Sequence, residues 1–448
     1  MPAMSAGQAV VEALRLEGVK YIFGVVGSCY VEVLDALYGR TDIQFLGVRH
    51  EQVAAHMADA YARAGGLPGV CMATNGPGAT NLLTGVASAY VNHAPMIVIT
   101  GAPMISQMLR DSFQELDQLT LFRPVTKAQI QIQRGDRVPE LVRHAFRVAM
   151  AGKKGPVLVD LPRDMLNETA EMAFIPPERY RWAQRDAGDS ALVQRAAEVL
   201  SQAAAPVVIA GGGVTWSGAQ AEVLAAAERL TAAVVTSYGR NDAVPHDHPL
   251  VIGAFGRAGS AEAAEAVRGA DVVLAVGTRL AHFTTFFDYR FIPQQAKIIQ
   301  IEVDEKELGR HYPLEVGILG DAKAVLGGFC KGSPVNHVTR RACRRSNGCA
   351  NNASSAWPRP VRRTPYRSNP SGCIGSSVPC CRATRSSRSM RALPPLTPTI
   401  SSIFTSRRRS SPPGISGVSV RGSRRPWAPN SPTPTGPSSV SAATAAFS

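Results

Sequence analysis

A chain of 448 residues can hold two or three domains, each with its own core. Its formal charge of +14 suggests a nucleic-acid or membrane-surface protein, but all 34 acidic residues lie at or before Asp321 and 19 of the 48 basic ones lie in 331–448. The first 330 residues therefore carry 29 basic against 34 acidic side chains, a net −5, so the body is mildly acidic and has neither nucleic acid nor a membrane as its expected partner.

Taken in chain order, residues 5–17 show helical apolar spacing at Ala9, Val10, Ala13 and Leu14, with Ser5 as N-cap. A basic region followed by an apolar core is missing before them, so no signal peptide is expected. Strands and helices then alternate: strand 21–27, helix 30–38, strand 43–48, helix 51–64, strand 69–73, helix 79–91, strand 95–100, and a strand at 155–162 expected to be the last of its unit. This alternation predicts a parallel sheet covered on both faces. The longest apolar stretches, such as Ala94–Ile99, are too short to cross a bilayer. Pro176, Pro177, Glu178 and Arg179 mark a linker, and a second α/β unit follows: helix 190–203, strand 206–210, three glycines at 211–213, then strands 232–236, 270–277 and 297–304. The glycines fit either a nucleotide-facing turn or a tight strand-to-helix connection. Cys29 and Cys71 are the only cysteines before residue 330, which fits a reducing, cytoplasmic compartment.

Two segments carry chemistry. Glu51 sits at the end of an apolar strand, Phe45–Val48, expected to be buried, and Gly76-Pro77-Gly78-Ala79-Thr80-Asn81 comes one βαβ unit later. A carboxylate at a strand end, facing a glycine-rich turn that opens a helix, suits a charged cofactor at the carboxyl edge of a parallel sheet.

Together these residues resemble the pyrimidine-binding domain of thiamine-diphosphate enzymes, in particular the acetolactate-synthase-like group, and the resemblance extends from residue 4 to about 326. It implies two doubly wound α/β domains, pyrimidine-binding over 1–170 and Rossmann-like central over 189–326, with a linker at 171–188 and a tail from 327 to 448. It implies that Glu51 holds N1′ of the aminopyrimidine and so favours removal of the thiazolium C2 proton, the cofactor acting as electron sink. Thr74, Pro77, Gly78 and Asn81 match positions lining the pyrimidine, and Val26 and Gly27 form a turn beside it. Val26 stands where acetolactate synthases carry proline; Val26-Gly27-Ser28 is closer to sulfoacetaldehyde acetyltransferase-like members. Gln114, in Phe113-Gln114-Glu115, matches a glutamine that approaches the reacting centre from a partner subunit, and Lys127 matches a lysine near substrate or flavin. The implied function is decarboxylation of a small 2-oxo acid with two-carbon transfer, by a homodimer or homotetramer. FAD in the central domain stays open. A 2-hydroxyacyl-CoA or oxalyl-CoA lyase, a non-catalytic product and a basic-tailed RNA-binding protein are the competing readings.

The tail does not continue this pattern. It holds 16 of the 32 prolines, no acidic residue and no lysine after Lys331, a composition that predicts disorder. Its six cysteines from Cys330 onward lack CxxC spacing, so no zinc site is expected. Reading 427–439 with each codon shifted by one base permits Met-Gly-Ala-Lys-Leu-Ala-Tyr-Pro-Asp-Arg-Pro-Val-Val, and 442–447 permits Gly-Gly-Asp-Gly-Gly-Phe. That resembles the start of the family's magnesium site in the diphosphate domain. The expectation is a frameshift that leaves this chain without magnesium ligands and inactive as written.

Overall fold

The computed structural model describes residues 3–181 and 185–331. The expected disordered tail lies, from residue 332 onward, outside them.

The first half contains β1 (Ala3–Ser5), α1 (Ala6–Leu16), β2 (Tyr21–Gly24), α2 (Val31–Leu37), β3 (Gln44–Gly47), α3 (Glu51–Gly65), β4 (Gly69–Ala73), α4 (Pro77–Val91), β5 (Met96–Ala102), α5 (Gln118–Phe122), β6 (Ala128–Gln131), α6 (Val138–Met150), β7 (Pro156–Pro162), α7 (Arg163–Leu166) and β8 (Thr169–Glu171). Six strands form a parallel sheet in the order β3-β2-β4-β5-β7-β6, while β1 and β8 pair antiparallel beside it. The central strands are apolar throughout because both faces are covered. Ile22, Val70, Met72, Ile97, Ile99, Val157 and Val159 pack on one face with α1 and α6. Phe23, Cys71, Ala73, Met96, Val98 and Leu158 pack on the other with α3 and α4. Ser5 caps α1 in a capping box with Gln8. The strand at 156–162 is the last of the six-stranded sheet in chain order but not its edge: β6, which the sequence did not reveal, lies outside it. The strand before Glu51 was read as buried, yet β3 is the edge strand and its Phe45 and Leu46 are half-covered.

The second half contains α8 (Ser190–Ser201), β9 (Pro206–Ala210), α9 (Gly212–Ser217), α10 (Gln220–Leu230), β10 (Ala233–Thr236), β11 (Val251–Ala254), α11 (Ala261–Arg268), β12 (Val272–Val276), α12 (His282–Thr285), β13 (Lys297–Glu302), β14 (Val316–Leu319) and α13 (Ala322–Lys331). Its sheet is wholly parallel, in the order β11-β10-β9-β12-β13-β14, with apolar cores on both faces. The expected doubly wound α/β architecture is therefore present twice. One boundary moves: α13 runs to Lys331, past the expected start of the tail at 327. Ala322, Val325 and Leu326 are buried and Phe329 packs against the same core, so these residues complete the second unit.

Candidate active site

In an open α/β sheet, ligands bind beyond the carboxyl ends of the strands where the strand order reverses. In the first sheet that point lies between β2 and β4, and the two connections leaving it are Val25–Gly27 and Thr74–Gly76.

Glu51 reaches this edge as the first residue of α3 rather than the last of a strand. His50 is the N-cap, its Nδ1 accepting from the Gln52 amide at 3.2 Å. An acid in a first helical turn is favoured by the helix dipole, so the helical and functional explanations for Glu51 hold together. The inner face of α3 is a stripe of alanines, Ala54, Ala55, Ala58 and Ala62, all buried. Against it lies Gly85 of α4, where a Cβ would sit 2.5 Å from that of Ala55. Small side chains let the two helices approach closely, and the approach brings Asn81 to Glu51: Asn81 Nδ2 donates to Glu51 Oε2 at 2.9 Å. Gly78 faces the other carboxylate oxygen, since a Cβ there would lie 3.5 Å from Glu51 Oε1 and 2.9 Å from Thr74 Cγ2. Gly27 packs against Thr74 and the Tyr30 ring, leaving no room for a side chain. Burial, and after it the charge of Glu51, push the Tyr30 phenol above its usual range. The structure thus gathers Glu51, Thr74, Gly78, Asn81 and Gly27. Pro77 is the exposed first residue of α4, and Val26 points outward with 70% of its surface exposed.

Within its own chain Gln114 lies beside Gly76: a Cβ on Gly76 would be 2.5 Å from the Gln114 carbonyl oxygen. The connection carrying it has three non-glycine residues in the left-handed region, Leu109, Asp111 and Gln114. Glu115 anchors it by accepting the Leu109 and Ser112 amides at 2.5 and 2.9 Å, which hold its carboxyl below the usual range. Sequence reasoning missed Asn75. This buried side chain donates to the Phe113 and Gln114 carbonyls at 2.9 and 3.0 Å and accepts from Cys29 Sγ and Thr74 Oγ1 at 2.8 and 3.0 Å. Its place immediately before the glycine-rich run was the available signal.

Lys127 is committed elsewhere. Its Nζ donates to the Val148 and Ala151 carbonyls at 2.6 and 2.7 Å, capping the C-terminal end of α6, and burial lowers its pKa to about 8. The three glycines of the second unit also have a packing explanation. A Cβ at Gly211 would meet the Gly277 carbonyl oxygen at 2.4 Å, and one at Gly213 would meet Gly277 Cα at 2.6 Å. The turn is glycine because two strand-end loops touch there, so it makes no case for a flavin. A cavity of about 280 Å³ lies beside it, lined by Lys154, Arg240, His93, Trp216 and Glu302 among others. Among the described residues no three His, Cys, Asp or Glu side chains are grouped to hold a metal ion, and no helix is long and apolar enough to cross a membrane.

Comparison with known proteins agrees with this geometry. Residues 4–121 match the thiamine pyrophosphate enzyme N-terminal TPP binding domain, and residues 193–329 match the thiamine pyrophosphate enzyme central domain. The chain is 40% identical over 327 residues to a probable acetolactate synthase large subunit of Methanocaldococcus jannaschii, covering 72% of this chain and 55% of that one. It is 40% identical over 324 residues to a sulfoacetaldehyde acetyltransferase of Alcaligenes xylosoxydans xylosoxydans, covering 72% and 53%. Over 329 residues it is 36% identical to the acetolactate synthase isozyme 3 large subunit of Escherichia coli, covering 73% and 57%. The chain therefore spans about half the length of the curated relatives it matches. With both domain types matched in order, and the carboxylate and glycine-rich turn at the switch point of the first sheet, the chain belongs to the thiamine pyrophosphate enzymes, in their acetolactate-synthase-like group.

Proposed function

We propose that residues 1–170 carry the aminopyrimidine half of a thiamine-diphosphate site, with Glu51 as the carboxylate that faces N1′. The observation carrying this reading is the Glu51–Asn81 hydrogen bond across two helices at the switch point of the first sheet. When bound, the cofactor supplies an electron sink for the bond broken next to the substrate carbonyl. The chain's own residues hold and orient. Glu51 accepts and returns a proton at N1′, Asn81 keeps one of its oxygens aimed, and Thr74 with Gly78 bounds the space around the ring. The reaction we infer is decarboxylation of a small 2-oxo acid and transfer of the two-carbon unit to an acceptor. Val26-Gly27-Ser28, with no proline in the turn, favours a second reading, an acetyltransferase acting on sulfoacetaldehyde or a similar aldehyde.

The diphosphate and its magnesium need hard oxygen ligands, and residues 322–448 contain no carboxylate. We infer that those ligands belong to a diphosphate domain encoded in the shifted frame of the tail. The exposed Leu109 and Phe113, at 97% and 80%, favour a second copy of the chain covering the connection beside the site. The free Cys29 and Cys71 are compatible with a cytoplasmic location. The test is calorimetric titration with thiamine diphosphate and magnesium. The frame-restored chain is expected to bind and then decarboxylate a 2-oxo acid, while this chain binds weakly. A frame-restored chain that folds and ignores the cofactor would overturn the proposal.

A further inference from the structure

Asp160 lies on β7 inside the first sheet and is 2% exposed. A buried carboxylate needs donors, and this one has three uncharged ones. Thr100 Oγ1 and Gln118 Nε2 each donate to Oδ1 at 2.7 Å, and Gln131 Nε2 donates to Oδ2 at 2.9 Å. Gln118, the first residue of α5, is itself 3% exposed. Its Nε2 also donates to the Gly101 carbonyl at 2.9 Å, so both neighbours on that side are acceptors and its Oε1 must face the other way. There it accepts the Gly76 amide at 3.2 Å.

Gly76 is the N-cap of α4, with φ 58° and ψ −109°, and it has no side chain with which to cap its own helix. A substitute cap from position 76 is sterically closed, because a Cβ would strike the Gln114 carbonyl oxygen. The turn that presents Gly78 and Asn81 to Glu51 is therefore tied to the sheet interior through one side chain.

We propose that Gln118 is a positioning residue for the cofactor-facing turn, and that Asp160 is the buried acceptor holding the Gln118 amide in the orientation that receives the Gly76 N–H. The cofactor-facing role rests on the reading of this edge as the aminopyrimidine half-site; the relay itself does not.

The test is amide hydrogen exchange in the full chain, read on a peptide spanning 74–81 and referenced to the second sheet's β9. Gln118→Met keeps the volume and removes both ends of the relay. Exchange at 74–81 is expected to rise roughly fivefold to tenfold, with β9 unchanged. Gln118→Glu is the conservative rescue. As the neutral acid it donates to Asp160 and still accepts from Gly76, whereas as the anion it is repelled by Asp160 and by Asp117, the N-cap of the same helix. Thr100 and Gln131, facing from β5 and β6, do not titrate; Cys29 and Tyr30 pack against Gly101. Protection at 74–81 in Gln118→Glu, corrected for the intrinsic pH dependence of exchange, should therefore be near wild type at pH 5 and lost at pH 8. Unchanged exchange in folded Gln118→Met, or protection in Gln118→Glu that does not vary with pH, would overturn the relay. Neither readout needs the cofactor, so failure of the frame-restored chain to bind thiamine diphosphate would instead sink the half-site reading and leave the relay standing.

Discussion

Asn81 and Glu51 meet through a 2.9 Å hydrogen bond although they sit on different helices, because an alanine face on α3 and Gly85 on α4 let those helices close. Asn81 was expected to line the pyrimidine ring, and in the structure it also holds the Glu51 carboxylate. Hydrogen bonds to a charged group contribute about 1.5–3 kcal/mol. In the frame-restored chain Asn81→Ala should therefore slow exchange of the cofactor's C2 proton by roughly tenfold to a hundredfold, as well as weakening binding. Deuterium exchange followed by NMR checks both, and a variant that only weakened binding would leave Asn81 as a lining residue.

Gly85→Ala tests the helix approach in the chain as it stands. Alanine gains about 1 kcal/mol over glycine in helix propensity. Here the new Cβ would lie 2.5 Å from Ala55 Cβ and 3.0 Å from the His56 amide nitrogen, so the helices must separate. Overpacking costs about 1–3 kcal/mol and should outweigh the propensity gain. Urea denaturation is expected to report a net loss of up to about 2 kcal/mol; a gain would mean that the contact relaxes easily.

Asp160 gives a pH dependence whose sign follows from its burial. Desolvation raises its pKa to about 6, against an ordinary aspartate value near 4, with its three hydrogen bonds opposing part of the shift. The folded state then binds more protons than the unfolded one between these values, so its contribution to stability is largest below about pH 4 and declines as pH rises through about 6. Two units correspond to a loss on the order of 2–3 kcal/mol. Asp160→Asn removes this titration. The stability difference between wild type and variant, from denaturation at several pH values, should shift against wild type between pH 4 and 6.5, and a constant difference would contradict the assignment.

Lys127 donates to two carbonyls at the end of α6. Lys127→Met should cost stability, about 1.5–3 kcal/mol by loss of charged hydrogen bonds. It should leave the substrate KM of the frame-restored enzyme unchanged. A raised KM at unchanged stability would return this lysine to the substrate.

The sheets were legible because their central strands are covered on both faces and are continuous apolar runs, as in Val207–Ala210 and Val272–Val276. β6 was not, since Ala128–Gln131 alternates with glutamine at an edge, and Gln131 is polar because it serves Asp160. Glu51 and the Gly76–Asn81 turn were readable as local runs. Asn75, Gln118 and Asp160 were not, because their meaning comes from partners 38 to 60 residues away. The end of the second unit was expected at 326, short of the end of α13 at Lys331. The helical spacing of Ala322, Val325, Leu326 and Phe329 was the better guide.

The central claim is that Glu51 does proton chemistry at the cofactor's pyrimidine, and Glu51→Gln tests it most directly. Glutamine keeps the shape but cannot take the proton. In the frame-restored chain the rate of C2 proton exchange on bound thiamine diphosphate should fall by about 10²–10⁴-fold, with cofactor affinity falling less. Exchange at the wild-type rate in Glu51→Gln would contradict the assignment of the carboxylate, and with it the location of the active site.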